Sequence, residues 1–191
     1  MKKYLLFTAI IFISTVCFSQ DIISTQTQET NSGANRPVSK FQSGYKGIIE
    51  SGGYYWGIDG FSFGQMNFHL INGYQINPYF SLGLGFGADL YFGSGTEHFV
   101  LVPVFADFRA DFIDAAISPY LSFDIGYSFN TTNDDLKRAA GLMLNPTIGV
   151  RYKLPKRHEF HIGAGYQMQT LKYDYDSENL GAIVIKIGYS F

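Results

Sequence analysis

The side chains best suited to ion or acid–base chemistry stand at alternate positions within apolar stretches of this 191-residue chain. Five are acidic and four are basic: Asp89, Asp107, Arg109, Asp111, Asp124, Arg151, Lys153, Glu159 and Lys186. Alternate residues of a β-strand point to one face, so these charges are expected on a common face. Because charges removed from water need partners, we predict an interior network in which the basic side chains bridge the acidic ones. A pore lining and a catalytic site are the alternatives.

Two groups of residues have the composition of metal sites. His158 and His161 are three residues apart, which places them on opposite faces of a strand, so they cannot share one ion. Asp174, Asp176 and Glu178 fall in a predicted loop and could bind Ca²⁺ or another divalent cation. A solvated acidic loop is the simpler interpretation, and neither a metal nor a cofactor is predicted.

Residues that could form a catalytic site are few. Ser94, Glu97 and His98 are close in sequence and could serve an acyl-transfer reaction, but their spacing does not enforce a catalytic arrangement. The glycines between residues 83 and 87 alternate along a strand and do not open a helix, so they do not indicate a nucleotide site. No catalytic residue is predicted.

The elements that carry these residues have a period of two, which is typical of β-strands. Six stretches show it strictly, with no charge among their apolar members: Phe80–Phe92, Val100–Phe112, Ile117–Phe129, Leu142–Leu154, Phe160–Gln169 and Ile183–Phe191. Two further strands with a weaker pattern are expected near Tyr45–Gly53 and Phe61–Gln75. Eight strands of about ten residues or more predict an all-β, antiparallel up-and-down barrel that is long enough to cross a membrane.

The composition of the two faces indicates which one meets the solvent. Only 16% of the residues are charged and 46% are hydrophobic. The polar face combines Gly, Ser, Asn and Gln with balanced charges, which suits the narrow, side-chain-filled interior of an eight-stranded barrel. The other face is uniformly apolar and suits lipid, in which only helices and closed barrels satisfy the backbone. A soluble, lipocalin-like carrier with the apolar face inside is the alternative.

The first residues are typical of an export signal. The basic start Lys2-Lys3 precedes an apolar run, and the small residues Cys17 and Ser19 stand before a cleavage position. We predict a signal peptide over 1–19, a flexible periplasmic tail over 20–39 and the barrel over 40–191. Removal of 1–19 takes away two lysines and the only cysteine, which leaves 12 basic against 16 acidic side chains. This balance argues against nucleic acid as a partner.

The connections between the predicted strands differ in length at the two ends of the barrel. Short turns are expected at Asn77-Pro78, Ile113–Ala115 and Pro155, and longer polar loops at 54–60, 93–98, 131–137 and 173–179. Short periplasmic turns and longer outer loops are the usual asymmetry, which places both chain ends in the periplasm. Tyr54, Tyr55 and Trp56 in the first long loop are predicted to form an interfacial girdle or to contact an unidentified surface partner.

Two segments resemble known outer-membrane proteins. Gly73–Gly87 resembles a small outer-membrane β-barrel family widespread in Bacteroidota, and the architecture is similar to barrels of the OmpA and OmpX type. The ending Ile187–Phe191, with Tyr189 and Phe191, resembles the terminal aromatic signal that the barrel assembly machinery reads. The resemblance implies a place in the cell outer membrane, in contact with its lipid and lipopolysaccharide.

The resemblance implies a location more than an activity. A non-enzymatic protein for envelope structure, adhesion or surface interaction is expected. A narrow channel, a lipid-modifying enzyme that uses Ser94, Glu97 or His98, and the lipocalin-like carrier are the alternatives.

Overall fold

A computed structural model describes residues 43–58, 61–94, 96–131, 139–154, 157–172 and 177–191. Its strands are β1 (Gly44–Ile58), β2 (Phe61–Gln75), β3 (Phe80–Gly93), β4 (Thr96–Asp111), β5 (Ile117–Asn130), β6 (Ala139–Lys153), β7 (Glu159–Lys172) and β8 (Ser177–Ser190). Each strand pairs antiparallel with the next, and β8 returns to β1. The predicted all-β, up-and-down barrel is confirmed. The predicted signal peptide and tail lie outside the described residues.

The alternation predicted for the strands is observed as an apolar exterior and a polar interior. On β4, for example, Val104 and Phe108 are exposed on the outside, whereas Asp107 and Arg109 are buried inside. Large apolar side chains are exposed on all eight strands. An exterior of this size and composition suits hydrocarbon, not water. The arrangement is the reverse of a lipocalin-like carrier, so that alternative is wrong.

In the part of the chain that the structure describes, no helix is long and apolar enough to cross a membrane, and this observation does not bear on spans made of strands.

The strands extend past their predicted ends at one end of the barrel, here called the upper end. Tyr54, Tyr55 and Trp56 belong to β1 and not to a loop, because pairing with β2 continues to Ile58–Phe61. β4 and β8 likewise begin inside the predicted loops. Glycines break the apolar alternation near residue 55, but the pairing uses backbone groups that every residue carries. The predicted loops at 54–60, 93–98 and 173–179 are therefore too long, and the predicted loop at 131–137 lies, apart from Thr131, outside the described residues.

The opposite, lower end carries the first and last residues of the described barrel and the predicted short turns at Asn77-Pro78 and Ile113–Ala115, whereas the predicted turn at Pro155 lies outside the described residues. Asn77 Oδ1 accepts hydrogen bonds from the backbone N–H groups of Tyr79 and Phe80, both at 2.8 Å, which fixes the turn between β2 and β3. Phe191 and Gly47 exchange backbone hydrogen bonds of 2.9 and 2.8 Å. A Cβ atom at residue 47 would lie 2.6 Å from the Phe191 ring, so glycine makes room for the closing residue.

The seam between β1 and β8 is the shortest stretch of pairing that closes the described barrel. It contains six register pairs, from Ile48–Ser190 to Gly53–Ile185. By contrast, β1 and β2 form fifteen. Above Gly53, β1 continues beside β2, and the upper half of β8 continues beside β7. The two edges therefore separate toward the upper end.

Candidate functional site in the barrel interior

A buried carboxylate on β1, Glu50, is the centre of the interior. Its Oε2 atom lies 2.8 Å from Arg109 Nη2 on β4 and 3.2 Å from His161 Nε2 on β7. Its Oε1 atom lies 2.8 Å from Lys186 Nζ on β8. Side chains from β4, β7 and β8 therefore all contact this one carboxylate on β1. Glu50 was not among the residues predicted for the interior.

Two more carboxylates extend this contact into a cluster. Arg109 Nε donates to both Asp107 oxygens at 3.0 Å, and Lys186 Nζ donates to Asp124 Oδ2 at 2.8 Å. Asp107 and Asp124 are register partners on β4 and β5. The central charge cluster consists of Glu50, Asp107, Arg109, Asp124, His161 and Lys186. Its three acidic side chains face two permanent cations, so an imidazolium at residue 161, or one proton on a carboxyl group, would balance the charge.

A second cluster lies below the first, near the lower end. Arg151 Nε lies 2.9 Å from Asp111 Oδ1, and its Nη1 atom lies 3.3 Å from Glu159 Oε1. Lys46 Nζ lies 2.7 Å from Glu159 Oε2. Two cations thus face two anions in this lower charge cluster. Lys153 does not join it and instead pairs at 2.6 Å with Asp114 on the partly exposed rim.

Asp89 is held differently from the other interior carboxylates. Its Oδ1 atom lies 2.8 Å from His69 Nε2, and both side chains are fully buried. Gln167 Nε2 donates to Asp89 Oδ2 at 3.2 Å, and Gln167 Oε1 accepts from Asn67 at 3.3 Å. Asp89 is therefore held by a histidine and by a chain of side-chain amides. Neither Lys nor Arg takes part in these contacts.

Of the nine predicted interior charges, seven meet in the two charge clusters. The structure pairs Arg109 with Asp107, Lys186 with Asp124, and Arg151 with Asp111 and Glu159. Four interior partners were not among the predicted network residues: Lys46, Glu50, His69 and His161, of which His161 had been expected on the interior face. Lys46 and Glu50 both stand at even-numbered positions of β1, and His69 stands at an odd-numbered position of β2. Extending the alternation through these weaker strands would have identified them.

An apolar layer fills the interior at the upper end. The upper apolar cluster consists of the buried residues Tyr91, Phe99, Leu101, Ala140 and Leu171, with Phe63 and Leu180 packed against it. The rings of Tyr91 and Phe99 are stacked with their centroids 4.6 Å apart. Aromatic and aliphatic side chains thus fill the top of the interior, and a second buried apolar cluster of Ile48, Ile71, Phe105 and Met143 lies among the charged side chains below.

The histidine and acidic groups do not form a metal site in the described part of the chain. No group of three metal-ligating side chains converges there. His158 lies at the lower rim, where its Nδ1 atom is 2.8 Å from the Tyr189 hydroxyl, while His161 points into the interior. Asp174 and Asp176 lie outside the described residues.

The residues considered for catalysis are placed at the upper end. Ser94 Oγ accepts a hydrogen bond of 2.8 Å from the backbone N–H of Ser62, which links β2 to the end of β3. His98 is exposed on β4. The side chain of Glu97 lies outside what the structure describes. Ser94 thus has a structural contact in the strand connection.

The chain matches no family model and shows no significant match to a curated protein. Among solved structures, Neisserial surface protein A has a TM-score of 0.57 and 15% identity, over 78% of this chain and 98% of that one. The chain has the fold of an outer-membrane β-barrel protein. The N-terminal β-barrel domain of Pseudomonas aeruginosa OprF (TM-score 0.46, 17% identity, 77% of this chain and 97% of that one) is also similar. The outer membrane protein OprG of the same organism is similar as well, with a TM-score of 0.49 and 11% identity over 77% of this chain and 94% of that one.

These likenesses concern the fold, because the identities are low. The resemblance to a Bacteroidota family and the similarity to barrels of the OmpA and OmpX type stay predictions.

Proposed function

We propose that this protein is an integral outer-membrane barrel with a structural, non-enzymatic role, which stabilises the envelope or presents a surface to an unidentified partner. The observation that carries the proposal is the combination of an apolar exterior on every strand with an interior held by ion pairs. Such an exterior is stable in a bilayer and aggregates in water.

The filled interior supports a structural role over transport. Eight strands enclose a space just wide enough for side chains. Here the central and lower charge clusters and the upper apolar cluster occupy successive levels of that space. An ion would have to break the contacts of Glu50 or Arg109 and then pass Leu101, which is fully buried. A narrow channel is therefore the less favoured function.

The upper end supports a role in surface contact. Strands β1 and β2 continue as a hairpin beyond the central charge cluster, and Tyr55 is exposed on it. Tyr55 therefore stands on a paired strand, which presents its aromatic ring more rigidly than a loop would, whereas Tyr54 packs inward against Phe63. The side chain of Trp56 lies outside what the structure describes. Contact with lipopolysaccharide, and reading of Tyr189 and Phe191 by the barrel assembly machinery, belong to the same proposal.

The proposal is tested by fractionation combined with gel mobility of unboiled and boiled samples. A folded transmembrane barrel stays compact in detergent until it is boiled, so we expect the protein in the outer-membrane fraction with a mobility that changes on heating. A soluble periplasmic protein of constant mobility would overturn the proposal. A truncation that removes Tyr189–Phe191 serves as the matched variant, and it is expected to lose both the membrane fraction and the mobility change.

A further inference from the structure

Among the strand residues that the structure describes, one charged side chain faces outward. The other Lys, Arg, Asp and Glu side chains described on the strands stand at inward positions, and even Glu178 near the upper end lies opposite the inward Leu171. Lys172 follows Leu171 on β7 and therefore points to the opposite, outer face. A lysine on this face is costly at the middle of a bilayer and nearly free of cost at its boundary. Lys172 is therefore expected at the level of the lipid headgroups.

The ammonium group of Lys172 is held in a defined place on the outer surface. Its Nζ atom donates a hydrogen bond of 2.9 Å to the hydroxyl group of Tyr127 on β5 and lies 5.4 Å from the centroid of that ring. Because β6 lies between β5 and β7, this contact spans three strands. Tyr127 takes one of the three N–H donors of the ammonium group, so the contact positions the positive charge without neutralising it.

The outer surface changes from apolar to polar at the same level. On β7 the outward residues from Phe160 to Met168 are apolar or aromatic, and the next one, Thr170, donates a hydrogen bond of 2.8 Å from Oγ1 to Asn179 Oδ1 on β8. Phe160 and Thr170 are ten residues apart. At a rise of about 3.4 Å per residue and a strand tilt of about 40°, this separation spans about 25 Å of the membrane normal, the height of the apolar band of such barrels. Thr170, Lys172 and Asn179 therefore lie at the upper boundary of that band.

The group that fits this boundary site combines a phosphate with a sugar. A phosphate matches the ammonium group of Lys172, because a charge-assisted hydrogen bond is stronger than one between neutral groups. The hydroxyl group of Thr170 and the side-chain amide of Asn179 offer neutral donors and acceptors, which suit the hydroxyl groups of a sugar. We propose that Lys172 binds a phosphate group of a phosphorylated glycolipid in the outer leaflet, and that Thr170 and Asn179 contact its sugar. The inference deepens the proposed contact with lipopolysaccharide and rests on the proposed membrane location and orientation.

Binding of two forms of lipid A, the lipid anchor of lipopolysaccharide, tests this inference. The folded barrel in detergent micelles is titrated with lipid A that carries its phosphate groups and with lipid A from which they have been removed. Native mass spectrometry measures the bound lipid. We expect the wild type to bind the phosphorylated form at least about tenfold more tightly, which corresponds to about 1.4 kcal/mol and is of the size expected for a hydrogen bond to a charged group.

Variants separate the charge from the other contacts. Lys172→Met keeps the length of the side chain without its charge and should bind both forms equally, whereas Lys172→Arg should keep most of the preference. The matched control is Lys153→Met, which removes a lysine from the lower rim and should leave the preference unchanged. Phosphatidylglycerol, which has a phosphate but no sugar, should bind the wild type more weakly than phosphorylated lipid A. Asn179→Ala should weaken binding of lipid A and leave binding of phosphatidylglycerol unchanged.

Equal affinity of the wild type for the two forms of lipid A, or an unchanged preference in Lys172→Met, would overturn the inference. Phosphatidylglycerol bound as tightly as phosphorylated lipid A would also overturn it, because the site would then recognise only a phosphate. In these cases a heat-dependent gel mobility would leave the barrel proposal intact. Loss of that mobility in the wild type would instead count against the proposed function itself.

Discussion

At the scale of single residues, Glu50 determines how charge is arranged in the interior. Arg109, Lys186 and His161 all contact it within 3.2 Å. Inside a barrel these side chains cannot turn to water, so the loss of Glu50 removes a contact from each of them, although Arg109 keeps Asp107 and Lys186 keeps Asp124. The cost of removing Glu50 therefore comes from the charge-assisted contacts that its three buried neighbours lose at once.

We therefore predict that Glu50→Ala lowers the free energy of unfolding by about 2–5 kcal/mol, because a hydrogen bond to a charged group contributes about 1.5–3 kcal/mol and Glu50 makes more than one. Urea unfolding of the protein in lipid vesicles measures the change. Lys153→Ala is the control, because the Lys153–Asp114 pair is a third to a half exposed, and such pairs contribute about 0–1 kcal/mol. Equal effects of the two substitutions would contradict the central role of Glu50.

A second prediction concerns the lower charge cluster. Arg151→Glu would place three carboxylates together, because residue 151 lies between Asp111 and Glu159. We expect a lower melting temperature and a change of gel mobility at a lower temperature than in the wild type. Lys153→Glu, two residues along the same strand but on the rim, should have a much smaller effect. An unchanged melting temperature in Arg151→Glu would show that the cluster does not stabilise the barrel.

At the scale of elements, strands with strict alternation could be predicted from the sequence and interrupted strands could not. β3 to β8 carry an apolar residue at nearly every second position, so their two faces are unambiguous. In β1 the glycines at 47, 52, 53 and 57 obscure the pattern, and Lys46, Glu50 and the upper extension were missed for that reason. Pairings such as Glu50–Lys186 depend on the register around the whole barrel, which no local pattern contains.

The lipid-facing side of the strands provides a third prediction. Ile148 is 63% exposed at the middle of β6. If lipid covers it, Ile148→Lys should lower the free energy of unfolding by about 2–4 kcal/mol, as for a lysine near the midplane of a bilayer. Unfolding in vesicles gives the value. Glu178 is exposed near the upper end of β8. Because the penalty for a lysine falls toward the membrane surface, Glu178→Lys should lower the free energy of unfolding by only about 0–1 kcal/mol. No penalty at residue 148 would mean that water covers this face.

At the scale of the whole molecule, the interior is closed at several levels, one above another. The central charge cluster, the lower charge cluster and the upper apolar cluster lie at different levels, so opening one layer still leaves the others closed. The barrel is therefore better described as a filled cylinder than as a pore.

We accordingly predict no stable ion-conducting steps when the wild-type protein is reconstituted in planar bilayers. Leu101→Ser, which changes only the apolar layer, should also fail to conduct, because the charge clusters below it remain. Discrete, salt-dependent steps in the wild type would favour the narrow channel over the structural role.

The contacts of Glu50 also have a consequence for how the protein folds. Its partners come from the fourth, seventh and eighth strands, at sequence separations of 59 and 111 residues for the first two. A growing sheet that lacks the last strands would carry this carboxylate without its counterions. Partly assembled barrels are thereby penalised, and Glu50 gains its contacts with β7 and β8 in the single event that joins the two ends of the chain. Assembly should therefore be cooperative, with few populated intermediates between the inserted chain and the closed cylinder.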